Sequence, residues 1–144
     1  MAEIFKRIID FDQAKASAIE KLIQAKEQSE TGEVGFVSGI IMSDGPLRVI
    51  KNLGMLKRYQ RFVKKQVDYP VLSAIDFLDA DNIIRLTSNK QEHKRFWREI
   101  LGSGYITDFF TTPRGQEKGG AKDEYETATK LGLIMHNVTR KNKK

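Results

Sequence analysis

The sequence predicts an α/β domain, with a mostly parallel sheet of four or five strands layered against helices. Two observations carry this. Short apolar runs with β-branched and aromatic residues alternate along the chain with longer segments whose apolar residues recur at a period of about 3.6. The chain is also 144 residues long and 40% apolar, which suits one domain, residues 1–144, with a core of its own. No internal repeat, low-complexity segment or linker divides it.

Residues 2–28 read as an N-terminal amphipathic helix, with Ile4, Phe5, Ile8, Ile9, Phe11, Ala18, Ile19, Leu22 and Ile23 on its apolar side. SETGE then breaks it. VGFVSGIIM, 34–42, is a buried strand. SDGP follows at 43–46, where Ser43 or Asp44 offers a helix cap and Pro46 stands as a first-turn proline. The helix of 47–67 turns Val49, Leu53, Leu56, Val63 and Val67 to one side. The rest of it carries Arg48, Lys51, Lys57, Arg58, Arg61, Lys64 and Lys65 with no acid among them. YPVLSAI, 69–75, is a second strand, and NIIRLT, 82–87, fits either a short strand or a structured loop. KQEHKRFWREILG, 90–102, is a helix with Phe96, Trp97, Ile100 and Leu101 facing in. YITDFFT, 105–111, is a third strand. A loop, a helix over 121–131 and a last strand, LIMHNV, complete the pattern before the basic tail of 139–144.

Composition removes several classes of function. The chain has no Cys, which excludes a disulfide scaffold, a thiolate metal site and a cysteine nucleophile, and fits a reducing cytoplasm. Glu3, Lys6, Arg7, Asp10 and Asp12 break up the N-terminal apolar pattern, so no signal peptide is expected. No apolar run approaches the roughly 20 residues that span a bilayer. His93 and His136 fall on different elements without ligand spacing, so no metal is expected, and His136 reads as a packed or edge residue. No G-x-S-x-G elbow is present. Net charge is +6, but Arg140, Lys141, Lys143 and Lys144 in the tail supply most of it. Nucleic acid is therefore not the expected main partner.

In open α/β sheets ligands sit beyond the carboxyl ends of the strands. That rule gathers the loops 38–46, 76–81 and 111–120 around one pocket. Ser38 and Gly39 end or interrupt the first strand, and Gly45 precedes a helix N-terminus whose N–H groups favour an anion. Two readings of this turn stand side by side: a phosphate or ribose contact, or a strand-to-helix turn that needs glycine geometry. The basic side of 48–65 reads as the solvated outer face of a crossover helix. Tyr59 and Phe62 alone do not make a stacking platform for bases.

EKGGAKDEYETATKLG, 117–132, holds the acids of most interest. Lys122, Glu126 and Lys130 are spaced i, i+4, i+8 and form a self-paired outward stripe. Ala121, Tyr125, Ala128, Leu131 and Gly132 form the inward stripe. Asp123 is accounted for by the helix dipole. Glu124 lies in the first turn, at the edge of the inward stripe and beside the expected pocket. It is either a partly buried helix-start acid or a nucleophile of the kind that attacks an anomeric carbon and holds a sugar covalently.

At these residues the chain resembles a known family. FVSGIIMSDG, then YITDFF, then GGAKDEYETATKLG before a final apolar strand resembles the nucleoside 2-deoxyribosyltransferase-like superfamily, which includes nucleoside 5′-monophosphate N-glycosidases. The local likeness is to the branch with a GA-x-x-E-Y-E-x-A-x-x-L-G helix, and it covers roughly residues 34–138. The resemblance implies a Rossmann-like, flavodoxin-like three-layer fold. It implies cleavage or transfer at the N-glycosidic bond of a nucleoside or nucleotide, without metal or organic cofactor. It also implies a homo-oligomer, with the site built between subunits; the N-terminal helix would supply that contact or cover its own sheet. The family's nucleophilic glutamate falls on Glu124, eight residues before Gly132. Ser38 and Gly39 would lie by sugar or phosphate, with Gly45, Gly119, Gly120 and Tyr125 shaping the rest of the pocket.

Two departures matter. Ser103-Gly104 stand where the family often has Ala-Asp, and Lys118 stands where the deoxyribosyltransferases have an acid six residues before the nucleophile. The proton donor to the leaving base is thus open among Glu117, Asp44 and Asp76. The expected function is N-glycosidic cleavage or transfer by a cytoplasmic protein. The alternatives are a nucleotide-binding protein without turnover and, behind it, an adaptor that uses the basic helix and tail.

Overall fold

A computed structural model describes residues 11–39, 41, 48–79, 82, 83, 85, 90–112 and 119–138. In chain order the elements are α1 (Phe11–Gln28), β1 (Gly35–Ser38), α2 (Val49–Lys64), β2 (Val71–Ser73), α3 (Ala74–Phe77), α4 (Lys90–Leu101), β3 (Asp108–Thr111), α5 (Gly119–Leu131) and β4 (Ile134–Asn137). The four strands form one all-parallel sheet in the order β2-β1-β3-β4. This is a Rossmann-like, flavodoxin-like α/β fold preceded by a helix. Its strand order places the topological switch point between β1 and β3.

Strand alternation assigns the two faces of the sheet. Phe36, Leu72, Phe109 and Met135 are in register on one face, where Phe36 stacks on Phe77 and Phe109 and meets Trp97 at 5.8 Å. Helices α1, α4 and α5 cover this face. Helix α2 covers the other, where Gln60 donates to the Val71 carbonyl and accepts from the Ser73 hydroxyl. The result is three layers, with the aromatic cluster Phe36, Phe77, Phe96, Trp97 and Phe109 at the centre. Each such side chain, fully buried, stabilises the fold by roughly 1.5–3 kcal/mol.

Several boundaries differ from the sequence expectation, each for a local reason. The second strand, expected over 69–75, stops at Ser73. The Asp76 carboxylate accepts the Ser73 backbone N–H at 2.9 Å in a capping box, and this turns the chain into α3. The third strand, expected from 105, starts at Asp108, because Gly104 takes a positive φ of 91° and re-aims the chain before pairing begins. Asn82, Ile83 and Arg85 are helical, so these residues are neither the short strand nor the loop considered for 82–87. Helix α5 ends in a Schellman arrangement. Gly132 has φ 78°, its N–H bonds to the Thr129 carbonyl, and the Leu133 N–H reaches back to Ala128. Leu131, expected on the inward stripe, is 46% exposed, because this C-terminal turn runs off the edge of the sheet.

On α2, the cations Arg48, Lys51, Lys57, Arg58, Arg61, Lys64 and Lys65 are all exposed, as expected of the outer face of a crossover helix. Helix α1 packs Ala18, Leu22 and Ala25 into the core of its own chain. No helix among the described residues is long and apolar enough to cross a membrane.

Candidate active site

The site lies at the carboxyl ends of β1 and β3, beside the switch point. Ser38 is the last residue of β1 and is 2% exposed. Its carbonyl accepts both the N–H and the hydroxyl of Thr112, at 3.1 and 2.9 Å, which locks the strand ends together. A side chain at residue 39 would place its Cβ 2.8 Å from the Thr112 Oγ1, so a larger residue here would displace the Thr112 hydroxyl. The Ser38 hydroxyl, thus fixed, donates to Glu124 Oε1 at 2.8 Å.

Glu124 comes from the first turns of α5, where the periodicity that buries Ala121 and Ala128 turns it inward as well. It is buried, and desolvation pushes its carboxyl up to about 8. The hydrogen bond from Ser38 opposes that rise, and the neighbouring charge of Asp123 adds to it. Near neutral pH the carboxyl is therefore mostly protonated. Asp123 does more than complement the helix dipole. Arg98 on α4 grips it through two bonds, at 2.6 and 3.1 Å, and staples α5 to α4.

Glu124 and Ser38 open onto a cavity of about 40 Å³, which has room for a few water molecules. Gly39, Gly120, His93 and Trp97 also line it. His93 has no metal-ligand spacing in the sequence and is not among the residues the sequence points to. Its position, however, is legible: His93, Phe96, Trp97 and Ile100 follow i, i+3, i+4, i+7 and share the inward side of α4. Burial pushes the imidazole below its ordinary value, and Lys94 adds to this while Asp123 works against it. The ring rests on the backbone of Gly120, where a Cβ would strike His93 Cε1.

The chain matches no protein-family model, no curated protein and no solved structure. The candidate residues must therefore be weighed on their geometry. Glu124, Ser38, Gly39 and Gly120 are brought together in one cavity. Gly119 begins α5 one residue earlier. Tyr125 is partly buried against the core and is not among the residues lining that cavity. Asp76 is not brought to the cavity either. Its Oδ2 is held by the Ser73 N–H and by the Gln60 amide at 2.7 Å, a structural assignment that ties β2, α2 and α3 together. Asp44, Gly45 and Glu117 lie outside the described residues. Among the described residues, no carboxylate other than Glu124 lines the cavity, and no cluster of His, Asp or Glu could hold a metal ion.

A second polar cluster occupies the α2 face. The His136 Nε2 lies 2.8 Å from Asp108 Oδ2, and the imidazole stacks on Phe110 with centroids 4.3 Å apart. Asp108 is buried and also accepts from the Thr107 hydroxyl at 2.6 Å. Burial, and then the Asp108 charge, raise the Tyr69 phenol above its ordinary value. His136 is thus a packed residue on the edge strand, as its place in the sequence predicts.

Proposed function

We propose that this protein cleaves or transfers the N-glycosidic bond of a nucleoside or nucleotide, with Glu124 as the nucleophile. The observation that carries the reading is a buried glutamate fixed by Ser38 at the carboxyl ends of β1 and β3, where sheets of this order receive ligands. In its ionised form Glu124 attacks C1′ and forms a glycosyl ester, which water or a second acceptor then resolves. Ser38 orients the attacking carboxylate, and the glycine backbone at 39 and 120 leaves room beside it. A nucleoside is larger than the present cavity, so its binding requires the cavity to widen. The cytoplasmic homo-oligomer implied by the resemblance belongs to the same proposal.

The test is direct. The protein is incubated with a panel of nucleosides and nucleoside monophosphates, and free base is followed by chromatography. Wild type is expected to release base from at least one of them, and Glu124→Gln to lose that release. Equal release by both proteins would remove Glu124 from the mechanism. A second reading, nucleotide binding without turnover, draws support from the absence of a second carboxylate in the cavity lining among the described residues, since glycosidases commonly work with two. It predicts that a nucleotide raises the melting temperature while no base appears.

A further inference from the structure

Among the described residues, Glu124 is the only carboxylate lining the cavity, so none of them offers a second carboxyl to protonate the departing base. His93 stands in the same cavity. It projects from α4, and Glu124 projects from α5, the helix that the Arg98–Asp123 pair fastens to α4. The imidazole lies on the Gly120 backbone. Gly120 and Glu124 are i and i+4 on α5, so the glycine beneath the ring and the glutamate share one face, their Cα atoms about 6 Å apart along the helix axis. His93 and Glu124 share no direct hydrogen bond, so a proton passes between them through water, for which the cavity of about 40 Å³ that both line has room.

We propose that His93 is the proton carrier of this site: it takes the Glu124 proton as substrate binds and delivers it to the departing base. This rests on the N-glycosidic reading above. The steps balance without any further reagent. Transfer from the Glu124 carboxyl to His93 creates the carboxylate and the imidazolium together. A carboxylate oxygen bonds to C1′ as the C1′–N bond breaks. The electron pair of that bond goes to the base nitrogen, which takes the imidazolium proton, so the base leaves neutral. Water then attacks C1′ and gives a proton to His93, the ester bond breaks, and its electron pair returns to Glu124. His93 finally hands the proton back.

The surroundings suit this exchange. The charged groups beside His93 are Asp123 from α5, already paired with Arg98, and Lys94 from its own helix, while Glu124 lines the same cavity. Burial disfavours the charged form of both partners, so the resting pair is a neutral imidazole and a neutral carboxyl. Moving one proton within that pair leaves the net charge of the cavity unchanged but creates both charged forms, so the exchange is uphill at rest and is drawn forward as the carboxylate bonds to C1′ and the base takes the proton. The active form is the pair holding a single proton. Its rate therefore falls on the acid side, where both groups are protonated, and again above about pH 8, where Glu124 loses its proton to solvent. A carboxylate working without a proton partner would instead gain rate as pH rises through about 8.

The test compares wild type with His93→Gln and Gly120→Ala, the latter displacing the ring while leaving the histidine in place. Each is assayed on a nucleoside monophosphate and on the 4-nitrophenyl glycoside of the same sugar, whose aglycone leaves without a proton. On the natural base, kcat is expected to fall about 10²-fold or more in His93→Gln, the usual range for a lost general acid. On the nitrophenyl substrate it should fall less than about 10-fold, and the alkaline limb should disappear. Wild-type kcat with the alkaline limb intact, or equal losses on both substrates, would overturn the proposal. A substrate-free readout runs beside it: NMR titration of the His93 ring in wild type and in Glu124→Gln. In wild type the ring signal should show a second inflection near pH 8, where Glu124 loses its proton, and Glu124→Gln should lack it; a wild-type signal flat through pH 8 refutes the coupling even if base is released. If wild type releases no base from any nucleoside or monophosphate, the N-glycosidic reading fails and the delivery step falls with it. If wild type is active and Glu124→Gln is not, that reading stands and the His93 results alone decide.

Discussion

Replacing Glu124 with glutamine should stabilise the protein at neutral and mildly alkaline pH, and the size of the effect follows from the burial of the carboxyl. In the unfolded chain Glu124 ionises near 4.5; in the fold, desolvation holds it at about 8. Below the lower value both states are protonated and nothing depends on pH. Between the two values the folded state binds a proton that the unfolded state has lost, so stability falls as pH rises, and it levels off above about 8. Each pH unit in that window costs about 1.4 kcal/mol. At pH 7 the accumulated cost is therefore about 3 kcal/mol, and across the whole window about 5 kcal/mol. Glutamine keeps a carbonyl to accept the Ser38 hydroxyl and has no proton to lose, so Glu124→Gln escapes the penalty. His93 acts in the opposite sense: its lowered value makes stability rise with pH, but only up to its ordinary value near 6.5. The clean comparison is urea unfolding of wild type and Glu124→Gln between pH 6.5 and 8. Wild type should lose stability over this range while the variant holds level. At pH 7 the variant's midpoint should be higher by roughly 1.5 M, taking a slope of about 2 kcal/mol per M. Curves that run parallel to within about 0.5 kcal/mol over the range would show that Glu124 is not buried as described, and the site would lose its main support.

Three further outcomes can be checked. Ser38→Ala removes the hydrogen bond that holds Glu124 down, so the carboxyl titrates higher still and any alkaline limb of base release moves to higher pH; kcat should drop on the order of 10-fold, the worth of one such bond. Asp76→Ala strips the cap from α3 and leaves Gln60 short of a partner, and should lower stability by about 1–3 kcal/mol in urea unfolding. Trp97 is the only tryptophan in the chain and lines the Glu124 cavity from the aromatic core, so its emission is sensitive to that cavity. A nucleotide that binds there should change the emission spectrum with saturation, whereas one that leaves it unaltered while raising the melting temperature binds elsewhere.

Much of the fold is legible in the sequence because it depends on periodicity. The inward set of α4 falls where spacing alone puts it, and β1, β3 and β4 each lie within the apolar run that predicts them, though all three are shorter than those runs. The outward stripe Lys122, Glu126 and Lys130 is exposed for the same reason. Glu124 also is singled out by its helical position, since the register that buries Ala121 and Ala128 carries it inward. Where the strands end is less legible, because side-chain chemistry and not apolarity decides it: the Ser73–Asp76 capping box halts β2 inside an apolar run.

Sequence by itself determined the α/β class, the inward faces of the helices and which of Asp123, Glu124 and Glu126 is most turned from solvent. The tertiary structure alone decided the partners. Ser38 and Glu124 are 86 residues apart and meet only because β1 and β3 pair in parallel beneath α5. Asp76, a candidate proton donor by its place in the chain, is consumed by contacts from α2 and β2, and His93, which has no ligand spacing, is carried into the cavity by the packing of α4 on α5. Periodicity is a property of neighbouring residues and survives in one dimension. A site is set by distances between elements, and these exist only once the layers have closed.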